Sequence, residues 1–166
     1  MRWVVVCAGL LVVAGCGQEM TPEERAAEEE RQIAMVEEAN RGPLVPIDPQ
    51  PILFPDIEQN DLFGMSCAFA PEGGGLGAIM LAMVEDGYMK LDGEIVHFSA
   101  DSGSAELPYG ARAEYDGTAY AVELAIEEEG GRQVASEAIN YDGHLTVRDA
   151  NGRVVYDRSG EVQCGS

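Results

Sequence analysis

Tyr120-Ala121-Val122-Glu123-Leu124-Ala125-Ile126-Glu127 sets a large apolar residue at every second position, against alanine or glutamate between them. A period of two is the signature of a strand with one buried and one wet face. The same alternation recurs nearby. Leu145 and Val147 interleave with His144, Thr146 and Arg148, and Val154 and Tyr156 interleave with Arg153 and Asp157. Between such runs stand Asp86-Gly87, Asp92-Gly93, Asp116-Gly117, Asp142-Gly143 and Asn151-Gly152. Asp-Gly and Asn-Gly suit the tight hairpin turns whose central residues need positive φ. Residues 78–84 are continuously apolar, which fits either a strand buried on both faces or a short helix. The expected fold is all-β, a small antiparallel barrel or sandwich of about eight strands over residues 62–166.

Outward from this region the character of the chain changes. Pro43, Pro46, Pro49, Pro51 and Pro55 fall within residues 42–61. Their spacing forbids helix and favours an extended, semi-rigid linker. Within it, Ile52-Leu53-Phe54 is apolar enough to fold back as an edge segment instead. Upstream, Thr21-Pro22-Glu23-Glu24 reads as a helix start, with Thr21 as N-cap, Pro22 in the first turn and Glu24 completing a capping box. Residues 25–39 are nearly all strong helix formers, and Asn40 and Gly42 offer a stop. The stripe of Ile33, Met35 and Val36 is narrow, so an acidic, solvated arm is expected, with docking as the alternative.

The N-terminus supplies an address. Arg2, an apolar run from Trp3 to Gly15 and small residues before a cut point make a secretory signal over residues 1–15, too short to span a bilayer. Val13-Ala14-Gly15-Cys16 resembles the lipobox of bacterial lipoproteins. That resemblance implies cleavage before Cys16, acylation of its thiol and retention at the membrane. Gly17, not Asp, follows the cysteine, and the resemblance then implies export to the periplasmic face of the outer membrane. Two thiols remain in the mature chain, Cys67 and Cys164. In an oxidising compartment such a pair is most simply a disulfide. It would tie the first strand to the last across a loop of about 100 residues.

Charge narrows the partners. The chain carries 30 acids against 10 bases, a net of −20, and cleavage before Cys16 makes it −21. Nucleic acid is excluded as a partner, because phosphate is repelled. A cationic protein is the partner this field would steer.

The inventory for chemistry is thin. No zinc-ligand spacing, nucleophile elbow or phosphate loop occurs, so no metal, no cofactor and no catalytic residue is assigned. The two histidines are His97, between faces that both look partly buried, and His144, on the polar face of its strand. A small hydrolase would need one of them beside a carboxylate such as Glu94 or Asp101.

Cys67, then Met89-Lys90-Leu91-Asp92-Gly93, Ser102-Gly103 ahead of Tyr109, and Cys164 together resemble the layout of membrane-bound inhibitors of c-type lysozyme. The likeness implies a lipoprotein β-barrel that presents a loop to a basic enzyme, with Ser102, Tyr109 and His97 as candidate partner contacts. The chain departs from that family in lacking its Trp-x-Lys-Gly segment. The sequence therefore points to a non-catalytic, lipid-anchored envelope module that binds a partner or serves structurally. An inhibitor of a cationic enzyme and a small hydrolase are the alternatives.

Overall fold

A computed structural model of the chain describes residues 21–75 and 77–166; the signal segment and Cys16 lie outside them. The chain divides into two compact units, Met1–Gly42 and Pro43–Ser166.

In the first unit, helix α1 runs Pro22–Asn40. The Thr21 hydroxyl accepts from the Glu24 N–H at 3.2 Å, and the Glu24 carboxylate accepts from the Thr21 N–H at 2.9 Å. This is the capping box anticipated from the sequence. None of its residues is buried, and Ile33, Met35 and Val36 all stand exposed.

Among its described residues the second unit has nine strands: β1 (Ser66–Pro71), β2 (Met80–Ala82), β3 (Asp86–Leu91), β4 (Glu94–Ala100), β5 (Glu114–Asp116), β6 (Tyr120–Ile126), β7 (Arg132–Ala135), β8 (Ala138–Asp149) and β9 (Val154–Gly165). Eight of them close an antiparallel barrel, β1 to β6 in order, then β8 and β9, with β9 returning to β1. The extra strand β7 pairs only with β8. Closure removes the open sheet edges that the other strands would otherwise present.

An eight-stranded barrel is just wide enough to be filled by its own side chains. Phe69, Met80, Met89, Phe98, Tyr115, Leu124, Leu145, Val147 and Val162 fill this one, all fully buried. The Tyr115 hydroxyl is satisfied inside, donating to the Met83 carbonyl at 2.6 Å and accepting from the Arg112 N–H at 2.8 Å. Burial pushes this phenol up from its ordinary pKa. Cys67 and Cys164 face each other in register on β1 and β9 and form the disulfide, with Cα atoms 4.0 Å apart. First strand is thus clasped to last, inside the core.

Three details differ from the sequence reading, each for a physical reason. Asp142-Gly143 is no turn but lies midway along β8, where Gly143 stands opposite Gly160 of β9. A Cβ at Gly160 would sit 2.2 Å from the Ala70 carbonyl oxygen, and one at Gly143 would sit 2.5 Å from Val162. These glycines serve close backbone approach where the long β8–β9 ribbon is gripped by β6 and β1. Asp86-Gly87 likewise opens β3 instead of turning. Finally Val155, not Val154, points inward, because a register shift after Val147 makes Val155 an extra residue in β9.

From Pro43 on, the proline-rich stretch belongs to the barrel unit and not to a free linker, and of the segment expected to fold back, Ile52-Leu53-Phe54, only Ile52 is buried. It crosses the barrel as a strap: the Ile47 N–H donates to Val155, Gln50 to Lys90 and Ile52 to Ala78, at 3.2, 2.8 and 2.7 Å. A short helix α2 (Phe54–Asn60) follows, against the expectation that the proline spacing forbids helix; Pro55 sits in its first turn, where its missing N–H costs nothing. Ile52 and Leu62 are buried with Leu81, and Ile57, Ala68, Tyr88 and Ile95 pack around them as a second, smaller core. Asp56 pins the helix by accepting from Lys90 Nζ at 2.6 Å and from the Leu53 N–H at 2.9 Å. The Lys90 contact, then the Leu53 bond, hold its carboxyl below the ordinary carboxylate range.

Candidate functional site: a cleft at an unpaired strand edge

The stagger of the barrel leaves a gap. On β9, residues 160–165 pair with β1, but Val154 to Ser159 have β8 on one side and no strand on the other. The strap and the β1–β2 turn reach only the two ends of this edge. Ile47 bonds the Val155 carbonyl, and the Glu72 N–H bonds the Ser159 carbonyl at 3.2 Å. The alternation of an antiparallel strand turns the Asp157 backbone toward the same side, between those two bonds.

A cleft of about 530 Å³ opens here, walled by the strap from Pro46 to Pro51, by Pro71 to Gly74 and by Val154 to Arg158. Its volume lies in the range of small-ligand and peptide sites. Asp48, Glu72 and Asp157 are its acids, Arg158 its base, and Tyr156 its aromatic wall. The Arg158 guanidinium lies 5.9 Å from the Tyr156 ring centre, and burial pushes the Tyr156 hydroxyl up. Prolines at 46, 49, 51 and 71 make the rest of the wall apolar and stiff.

Beside it a second cleft, of about 350 Å³, is lined by Glu72, Glu127, Asp142, His144 and Ser159 among others. Glu72 borders both. His144 bridges across the ribbon, with Nδ1 3.2 Å from Ser159 Oγ and Nε2 3.1 Å from Asp157 Oδ1. The hydrogen bond from His144 is the chief cause that holds the Asp157 carboxyl below its usual range. Asp157 therefore keeps its negative charge into mild acid. A hydroxyl, an imidazole that can accept its proton and a carboxylate that orients the imidazole stand here in order. All three nevertheless stand on an open strand face, the histidine side chain 40% and the aspartate 53% exposed.

The residues singled out from the sequence go elsewhere. His97 is not held between two buried faces: it stands on the outer face of β4, half exposed, with Nε2 2.5 Å from Asp86 Oδ1. Strand alternation buries its neighbour Phe98 instead. Ser102 is exposed in the turn after β4, where Asp101 accepts from the Gly103 N–H and from the Ser104 hydroxyl takes a bond on its carbonyl. Tyr109, half-buried at φ 59°, belongs to a connection that folds back onto the barrel, with Leu107 and Ala111 buried in the main core. The Pro108 carbonyl oxygen lies 3.5 Å from Cys67 Sγ, so this connection caps the disulfide. His97, Ser102 and Tyr109 thus share no cleft with the wall just described.

Asp157, Ser159, Asp48 and Glu72 were not singled out by sequence reasoning. Their proximity depends on strand register and on the strap, and only the polar alternation of residues 153–157 hinted at it.

The class these features define is a small, closed, disulfide-clasped antiparallel β-barrel with an acidic external cleft. No family model, curated protein or solved structure matches the chain. Among the described residues no helix is long and apolar enough to cross a membrane.

Proposed function

We propose that this chain is a lipid-anchored, acidic module of the bacterial cell envelope that binds a cationic partner, without catalysis. One observation carries the reading: three acidic residues, Asp48, Glu72 and Asp157, line a single cleft beside a stretch of β9 edge that no strand covers. Residues 63–166 bring 18 acids against 6 bases, a field that steers cations toward this surface. An extended basic segment fits the cleft by charge, by the apolar proline walls and by the adjoining strand edge. The lipobox reading of Cys16 supplies the anchor.

A lysine-rich decapeptide titrated against the mature chain tests it. Binding is expected at low ionic strength and weakens as salt rises, since exposed charges are screened within about 10 Å at 0.1 M. Asp48→Asn with Glu72→Gln should weaken it at least tenfold, whereas Glu28→Gln with Glu29→Gln on α1 should leave it unchanged. Equal loss in both double variants would refute a cleft and leave only bulk charge.

One observation favours a second reading, hydrolysis: the Ser159–His144–Asp157 arrangement beside the smaller cleft. It predicts turnover of activated esters that disappears in both Ser159→Ala and His144→Gln. Under the binding reading both variants match the parent chain at background rate.

A further inference from the structure

An exposed aromatic pair interrupts the acidic surface. Phe54 and Phe63 are 64% and 59% exposed, and their rings meet edge to face with centroids 6.4 Å apart. Leu53 and Met65, about half exposed, flank them in sequence. Side chains of this size would normally turn inward. Here α2 already spends its buried side on the second core through Ile57, with Ile52 and Leu62 on either side of it. The aromatic pair is therefore surplus to the packing of the fold, and exposed apolar patches of this kind mark interaction surfaces.

We propose that Leu53, Phe54, Phe63 and Met65 form a membrane-contact surface that seats the barrel on a zwitterionic bilayer. The inference rests on the anchor reading of Cys16, and two features support it. Chain length is the first. Helix α1 has 19 residues, a rise of about 28 Å at 1.5 Å per residue, so a bilayer holding Cys16 stays within reach of residues 53–65. Charge is the second. The chain has a single lysine, Lys90, and it neutralises Asp56, one of the two acids of α2, at 2.6 Å. Glu58 and Asp61 remain exposed beside the patch, which selects zwitterionic headgroups over anionic ones. An acyl anchor plus a second contact is the usual route to a fixed orientation on a membrane, and the two aromatic rings supply that contact.

Removal of the signal segment takes away Trp3, the chain's only tryptophan, and so permits a direct test. Phe54→Trp, made in a Trp3→Phe background, carries the sole indole in the patch. Val134→Trp in the same background carries it on exposed β7 as a control. Each full chain is purified from the membrane fraction, its lipid is verified by mass, and it is reconstituted in phosphatidylcholine vesicles with brominated acyl chains. The Phe54→Trp indole is expected to be quenched at least twofold and the Val134→Trp indole hardly at all. Replacing a third of the lipid with phosphatidylglycerol should reduce the quenching. Equal quenching of both indoles, or of neither, overturns the proposal, as does a patch left unquenched because two copies associate through it in sedimentation. If the purified chains carry no lipid, the anchor reading fails by itself. Brominated vesicles added to the unanchored Phe54→Trp chain then decide the matter: selective quenching upholds the surface, and its absence overturns it.

Discussion

Replacing both Cys67 and Cys164 by alanine lowers the free energy of unfolding by several kcal/mol, up to about 4.7 for a loop near 100 residues. The bond joins residues 97 apart in sequence, and in the barrel it crosses the seam between first and last strands. Without it the unfolded chain regains the freedom of that whole loop. The folded chain also loses two sulfurs from a fully buried site, a cavity that adds to the cost. Urea denaturation followed by tyrosine fluorescence measures the effect, and a midpoint unmoved by the double substitution would contradict it. Because both sulfurs are inaccessible, reductant alone should leave the parent bond intact until denaturant opens the barrel.

Cys16→Ser has the largest expected effect in the cell. Each acyl methylene buried in a bilayer contributes about 0.8 kcal/mol, so two or three chains hold a protein to the membrane essentially permanently. If the lipobox reading of Cys16 holds, loss of its thiol is expected to move the protein from the membrane pellet to the soluble periplasmic fraction on cell fractionation. Unchanged retention would contradict the lipobox reading.

The barrel was legible because its signals are local. Tyr120 to Ile126 announce one inward face, and Val122 and Leu124 are indeed buried while Glu123 is not. The clasp was legible because the lipobox reading sets Cys7 and Cys16 aside, and the two cysteines left admit one pairing. Turn chemistry misled at Asp142-Gly143, where the same glycine that permits positive φ also permits close contact across a sheet. Sequence does not separate these two uses.

The cleft was illegible for a different reason. It arises from the offset between β1, which grips one half of β9, and β6, which grips the other half of β8. Such a stagger belongs to the closed sheet and to no segment of it. The partners of the histidines were hidden in the same way. Glu94 and Asp101 are close to His97 in sequence, yet its partner is Asp86, one strand away, and that of His144 is Asp157. Neighbours across a ladder follow register, and a slip of one residue would have changed both.

The strap shows how tertiary context decides between two readings that sequence leaves level. Prolines at 46, 49 and 51 keep the chain extended whether free or bound. The intervening Ile47, Gln50 and Ile52 supply the N–H groups that bind it to the barrel. With no strap, the acidic edge of β9 would be a flat strand margin instead of one wall of a cleft.

Amide chemical-shift mapping with the lysine-rich decapeptide locates where a basic segment binds. Shifts are expected to concentrate at Asp48, Glu72, Tyr156 and Asp157 and to saturate together with a single affinity. Shifts confined to the glutamates of α1, or scattered evenly over every acidic face of the barrel, would contradict the cleft reading.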